Sequence, residues 1–423
     1  MDGIAMLSTE VHRSRRQMFL WLVTACAALF FCFRGPYRAI YHMGTDFASP
    51  YVAGWRFWHG VNPYPQEGFL NLWHTLGAPL SVQLNQSDSS PVYPPLTLVW
   101  MAPFCALPWH VAVVLYTVLC ATLYIALLLR LGRLLPGKDL RLLLLAYGLA
   151  FSPIHAGMAT ANLSILGFIL AAHALLSIRS SPAIAGILVA LALCFKPTIG
   201  APAAALLLFF CCWTELAWCI SVTGAAAIFS YWKLHAVPGW KEVYSSNVHY
   251  LFGPHGVASY YTLADSRFDL LNLEVPLYGM TRSFLLTNLF AYGITAILFA
   301  WWAWKFIPLQ RLDWAAISSL CLIALLPVYQ RNYCAGFVIF AVLWALAKGK
   351  ESGQARLLLL LSVCFLVPGE ALLRSYSSHL PAFLLAPLWK NLLFAYDTWA
   401  IVGMIVLVLA SRDSAPPSAA ATK

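Results

Sequence analysis

Three residues in this chain have types and surroundings suited to chemistry on a charged substrate. Asp46 lies in Gly44-Thr45-Asp46-Phe47-Ala48-Ser49-Pro50-Tyr51, about a dozen residues after an apolar run from Met18 to Phe33. A carboxylate at a membrane surface is expensive unless it is hydrated, paired or used. It reads either as a solvated loop acid or helix N-cap, since a plausible short helix follows, or as a working group. Lys196 interrupts an otherwise uncharged segment from Leu188 to Ala201. A lysine inside an apolar segment is a functional candidate with an anionic headgroup as its natural partner; the alternative is a side chain that snorkels to the interface. Arg331, in Pro327-Val328-Tyr329-Gln330-Arg331-Asn332-Tyr333, reads the same way, with bidentate phosphate contact as its functional form. His155 and Asn162 fall at helix ends on the same expected surface.

The missing motifs narrow the chemistry. There is no Walker A sequence, GxGxxG or HExxH. No Asp-x-Asp pair exists, so a nucleotide-sugar site built on a metal-bound diphosphate has no support. A lipid-linked donor fits better, because Lys and Arg alone can hold its single phosphate. The eleven cysteines lie in apolar stretches without a CxxC pair and read as packing residues. No cofactor is called for, and the residues leave open whether a divalent ion assists.

The elements that must position these groups are helices in lipid. Of 423 residues, 61% are apolar and 10% charged, against about 25% charged in a soluble domain. The expected architecture is all-α, a single multi-pass membrane domain over 1–423 with about twelve transmembrane helices. Apolar segments run at about 18–33, 110–131, 140–155, 160–178, 182–196, 198–213, 216–233, 284–304, 313–329, 333–348, 355–371 and 390–410. Residues 94–108, carrying Pro94, Pro95, Pro103 and Pro108, read as a half-inserted or interfacial helix. Two long polar stretches, 35–92 and 234–283, are expected outside, and 411–423 as a flexible cytoplasmic tail. With twelve crossings, 15 of the 26 Lys and Arg residues fall in short cytoplasmic segments, which favours both termini inside. The net charge of +10 therefore reads as loop anchoring, and no nucleic-acid partner is expected.

In the first long loop, Tyr51, Trp55, Phe57, Trp58 and Tyr64 read either as an interfacial aromatic belt or as faces for sugar rings or a prenyl chain. The second loop carries Trp240, His249, His255, Asp265, Arg267, Asp269, Glu274 and Arg282, suited equally to an acceptor site or to a solvated lid.

Taken in order, these motifs resemble a known family. An early Asp46 is followed by Gly60-Val61-Asn62-Pro63-Tyr64, Tyr93-Pro94-Pro95-Leu96, Pro103-Phe104-Cys105-Ala106-Leu107-Pro108, Asn162 and Phe195-Lys196-Pro197. The set, over roughly 40–345, resembles glycosyltransferase family 87, the polyprenyl-phosphate-mannose-dependent mannosyltransferases of the GT-C fold. The resemblance implies a multi-pass enzyme of the cytoplasmic membrane, working at its outer face. It would move a hexose, mannose by family default, from a polyprenyl monophosphate to the hydroxyl of a glycan or glycolipid acceptor. Asp46 then occupies the position of the general base, Lys196 faces the donor phosphate, and Asn162 sits at the sugar or phosphate pocket. Arg331, Asn332 and Arg56 join the donor contacts. One carboxylate suffices for a single inverting displacement, with cations on the departing phosphate. The chain departs from the family at Ala159-Thr160-Ala161-Asn162, where Gly-Gln often precedes the Asn, and at Asn332, where a His is common. Two rivals stand beside this reading: a transporter or flippase of a lipid-linked glycan, and a GT-C transferase for another sugar.

Overall fold

Lys196 precedes Pro197, and a residue before proline is driven out of the helical region. The chain obeys in the computed structural model, where Lys196 is extended (φ −151°, ψ 93°) and ends one helix as it begins the next. The structure describes residues 2–41, 44–84, 89–253, 256, 258–259, 268, 270–310, 312–349, 352–367 and 375–411, with side chains from residue 14 onward and without that of Ser377. Of the second-loop candidates, His255, Asp265, Arg267 and Asp269 lie outside the described residues, as does the tail from 412.

The longer helices are α1 (Asp2–Cys32), α2 (Ala48–Trp58), α3 (Trp109–Gly132), α4 (Lys138–Ala150), α5 (Ser152–Ala159), α6 (Leu163–Leu175), α7 (Pro182–Phe195), α8 (Pro197–Phe209) and α9 (Trp213–Leu234). After them come α10 (Trp240–Phe252), α11 (Glu274–Thr281), α12 (Phe284–Phe306), α13 (Trp314–Ile323), α14 (Val338–Lys348), α15 (Gly353–Ser362), α16 (Pro387–Phe394) and α17 (Tyr396–Leu409). Among the described residues there is no strand, only an isolated antiparallel bridge between Leu270 and Arg331. Helix starts follow the capping rules: Asn162, Ser283, Asp313 and Ser352 each accept a hydrogen bond from a first-turn amide through the side chain.

Among the described residues, three helical stretches are long and apolar enough to cross a bilayer: Ser14–Tyr41, α3 and α12. Two bent pairs, α4 with α5 (41°) and α16 with α17 (68°), raise this to five if each is one span. Most of the remaining apolar segments expected from the sequence correspond to helices of 10–17 residues, such as α6, α7 and α8, each shorter than a bilayer core. The segment 216–233 corresponds to α9, which at 22 residues is long enough but is not among the helices both long and apolar enough to cross. Residues 94–108 form two short helices, Pro95–Val99 and Ala102–Cys105, and not one long one.

Burial is arranged for lipid. Helices α6, α13 and α14 are enclosed on nearly all sides, and their apolar residues form the core. Peripheral helices turn large apolar side chains outward, among them Ile228 at 73%, Leu285 at 75% and Trp304 at 78% exposure. In water such a surface would be a large exposed apolar patch, whereas a hydrocarbon solvent accepts it.

Most of the aromatics of the first long loop pack inside the protein, while Trp55 and Trp58 are half-buried. Tyr51, Phe57 and Tyr64 are fully buried. Phe47 and Tyr51 pack on Trp109, and Phe47 packs on Tyr116 as well. Tyr51 donates its hydroxyl to the Leu107 carbonyl (2.6 Å), and Trp58 donates its indole N–H to Leu98 (3.1 Å). Phe47, Tyr51 and Trp58 thereby seat the loop on α3 and the proline-rich segment. The second long loop closes on the first through Asn247 of α10, whose side-chain amide donates to the carbonyls of Tyr64 (2.8 Å) and Pro91 (3.0 Å).

Candidate active site

Two tight turns meet to build the site. In the first, Gly44 takes a left-handed conformation (φ +49°) and begins a 3-10 turn over Thr45–Phe47 that leads into α2. In the second, α5 ends with Ala161 left-handed (φ +52°) before Asn162 opens α6. A Cβ on Gly44 would stand 2.8 Å from the Ala161 Cβ, so only glycine lets the turns approach this closely. The approach is fastened by the Asp46 amide, which donates to the Thr160 carbonyl (3.0 Å).

That contact brings Asp46 against Asn162. The Asn162 side-chain amide donates to Asp46 Oδ2 (2.8 Å) and to the Tyr333 hydroxyl (3.0 Å), while its carbonyl oxygen caps α6 by accepting from the Ser164 amide (2.9 Å). Tyr116 holds the turn from below, donating to the Asn162 main-chain carbonyl (2.7 Å). The N-cap account of Asp46 does not hold: the cap of α2 is Phe47, with no side-chain cap bond, and the Asp46 carboxylate turns to Asn162 instead. Its Oδ1 accepts no hydrogen bond among the described residues.

Asp46 and Asn162 open onto a cavity of about 360 Å³ that is also lined by Lys196, Arg331, Tyr93 and Tyr333. Volumes of about 300–1,000 Å³ are typical of small-molecule sites. Lys196 reaches it from the break between α7 and α8. Gly167 of α6 leaves room there, since a Cβ on it would stand 3.3 Å from the Lys196 Cβ. Arg331 precedes the 3-10 turn Asn332–Phe337 and donates through Nε to the Tyr329 hydroxyl (3.0 Å). It forms no ion pair with Asp46 within 4 Å, so cation and carboxylate face the same space without direct contact, though near enough for the Asp46 charge to act on Arg331. Leu251, Phe252 and Ala258 of the second loop close one wall.

The remaining sequence candidates are placed elsewhere. Arg56 is buried and donates to the carbonyls of Pro65 and Glu67 (2.9 Å for the latter), so it clamps the first loop and does not line the cavity. Asn332 is half-buried beside Arg331 and also does not line it. Its neighbour Tyr333 does. His155 donates through Nε2–H to the Leu149 carbonyl (2.7 Å) and packs against Phe30 and Phe31, away from the cavity. Sequence reasoning missed Tyr93 and Ser49 as lining groups, and it placed Tyr333 in the Arg331-Asn332-Tyr333 cluster without assigning it a contact. Ser49 is buried and lines the cavity, and its hydroxyl has no hydrogen-bond partner among the described residues.

The sequence profile of glycosyltransferase family 87 matches residues 92–329, more than half of the chain. The chain belongs to glycosyltransferase family 87, and it is therefore a membrane glycosyltransferase. The matched region contains Asn162 and Lys196 but begins after Asp46 and ends before Arg331. No curated protein and no solved structure matches the chain.

Two substitutions test how this geometry is held. Asn162→Ser keeps an oxygen that can cap α6, so that helix start should survive. The shorter side chain loses its amide donor to Asp46, and a hydrogen bond to a charged group contributes about 1.5–3 kcal/mol. The melting temperature should fall accordingly, and sugar transfer should fall with it because the Asp46 carboxylate is no longer oriented. Gly44→Ala forces a left-handed L residue, at about 1–2 kcal/mol, into a position where its Cβ meets Ala161. Both the melting temperature and transfer should fall, read by thermal unfolding in nanodiscs and by a transfer assay.

Proposed function

We propose that this enzyme moves a hexose, with mannose the first to test, from a polyprenyl monophosphate to an acceptor hydroxyl by a single inverting displacement. Asp46 accepts the proton of the acceptor hydroxyl as it attacks the anomeric carbon. Asn162 orients that carboxylate, and Lys196 and Arg331 take up the charge of the departing phosphate. The observation that carries this reading is the meeting of one oriented carboxylate with two cations in a single cavity, with no ion pair between them. The cavity is lined from turns and helix breaks, at the Thr45–Phe47 turn, the start of α6 and the α7–α8 break, which favours a one-sided active site over translocation. In this reading the shorter apolar helices also cross, for about twelve spans. The loops 35–92 and 234–283 then lie at the outer face of the cytoplasmic membrane with the site beneath them.

The test is transfer from radiolabelled polyprenyl-phosphate-mannose in membranes containing the wild-type chain and a native glycolipid extract as acceptor. Product whose anomeric configuration is inverted relative to the donor supports the reading. Retention of configuration overturns the single displacement, and transfer only from another polyprenyl-phosphate sugar overturns mannose. Failure with all such donors sinks the donor class.

A further inference from the structure

Beyond Lys196 lies a second cavity of about 510 Å³, which shares Lys196, Thr198, Phe252, Ala258 and Tyr329 with the first. Its far side is built around a buried carboxylate. Glu274, at the start of α11, accepts at Oε1 from the Tyr292 hydroxyl (2.9 Å) and at Oε2 from the Asn272 side-chain amide (2.9 Å). Asn272 is 2% exposed, and its own Oδ1 is buried with no hydrogen-bond partner among the described residues. Burial pushes the Glu274 carboxyl above its ordinary range, while the bonds from Tyr292 and Asn272 pull it back.

An orphan carbonyl beside a fixed carboxylate is a set of acceptors in want of donors. Three ligands compete for it. A phosphate brings only acceptors at neutral pH and would be repelled by the carboxylate. An isoprenoid chain would cover Glu274 and Asn272 while offering them nothing, which strands a charge and a polar group in an apolar contact. A divalent cation needs more hard oxygen ligands than one carboxylate and one amide, and among the described residues no group of three or more His, Cys, Asp or Glu side chains gathers here. Sugar hydroxyls supply the missing donors. The aromatic residues Phe252, Phe284, Tyr292 and Tyr329 line the same space and can take the apolar face of a ring.

We infer that the second cavity, centred on Glu274 and Asn272, is a saccharide subsite that holds the acceptor's hydroxyl-bearing portion while its reactive hydroxyl reaches past Lys196 toward Asp46. This rests on the transferase reading above and extends it to the acceptor, which becomes a glycan or glycolipid with at least one sugar ring beyond the reacting one. Glu274 acts here by binding, and the proton transfer stays with Asp46.

Binding separates the two readings. The full chain in nanodiscs is titrated with octyl α-glycosides of mannose, glucose and galactose, and separately with polyprenyl phosphate. The wild type should bind at least one glycoside. Glu274→Gln should weaken that binding tenfold or more, because charge-assisted bonds to hydroxyls are lost, and should leave polyprenyl phosphate within twofold, which also shows that the variant is folded. Tyr292→Phe, which removes one bond to the carboxylate, should fall between the two. Unchanged glycoside affinity in Glu274→Gln overturns the inference. So does an equal loss of polyprenyl phosphate binding, a wild type that binds no glycoside, or glycoside binding abolished by EDTA. Glycoside binding that follows this pattern, in a chain that transfers from no polyprenyl-phosphate sugar, upholds the saccharide subsite and sinks the donor assignment alone.

Discussion

Asp46→Asn is expected to lower sugar transfer by about 10²–10⁴-fold, the range typical of a lost general base. The substitution isolates protonation from shape. An asparagine oxygen can still accept from the Asn162 amide that now donates to Asp46 Oδ2 at 2.8 Å, so the two turns stay joined. What disappears is the ability to take a proton as the acceptor attacks. The charge also disappears, and it is close enough to Arg331 to act on it. Donor affinity should therefore hold or tighten, since an anionic phosphate loses a repulsive neighbour. The signature is a fall in kcat with KM for the donor unchanged or lower, which marks an interaction made in the transition state. Transfer within tenfold of wild type would remove Asp46 as the base. Glu274, the buried carboxylate of the adjoining cavity, would be the next to examine.

The helices were legible because apolar runs ended by Pro, Gly or charge carry their own boundaries. The expected segment 182–196 corresponds to Pro182–Phe195, and 110–131 to Trp109–Gly132. The Lys196-Pro197 break could be read directly, as the pre-proline rule needs no tertiary context. The site was legible only in part. Asp46 and Asn162 are 116 positions apart, and what joins them is a backbone approach at Gly44 and Ala161 that no local pattern announces. Tyr333 was passed over in favour of Asn332 because the sequence does not show which residues of a 3-10 turn point at a neighbour. Arg56 misled for a different reason. A cation among aromatics looks like a ligand contact, but the turn at Pro65 and Glu67 presents two carbonyls that no other described group caps, and the guanidinium satisfies them. The aromatics of the first loop were likewise ambiguous by type, and only their burial shows that they seat the loop.

Lys196→Met and Arg331→Met should each reduce kcat/KM for the donor by about 10²–10³-fold, the loss typical when one preorganised group is removed from a developing charge. Methionine keeps much of the apolar stem, so the α7–α8 break should survive. That break is set by Pro197 and by the Lys196 main chain, whose carbonyl accepts from Ile199 (2.9 Å) and Gly200 (3.0 Å). A lysine that merely snorkelled to the interface would behave as a surface residue, with an effect within about 0.5 kcal/mol, or roughly twofold. The two readings thus differ by orders of magnitude. The division between kcat and KM carries further information. Cations that only anchor the donor raise KM and leave kcat alone, whereas cations that stabilise the departing phosphate lower kcat as well. Arg331→Lys refines the assignment, because it keeps the charge and loses the planar fork and the Nε–H donated to Tyr329 (3.0 Å). Activity near that of Arg331→Met would mean that geometry matters more than charge at this position. Activity near wild type would reduce Arg331 to a source of potential. Because Lys196 borders both cavities, its loss should also blur the boundary between donor and acceptor, so donor hydrolysis should rise relative to transfer in Lys196→Met but not in Arg331→Met.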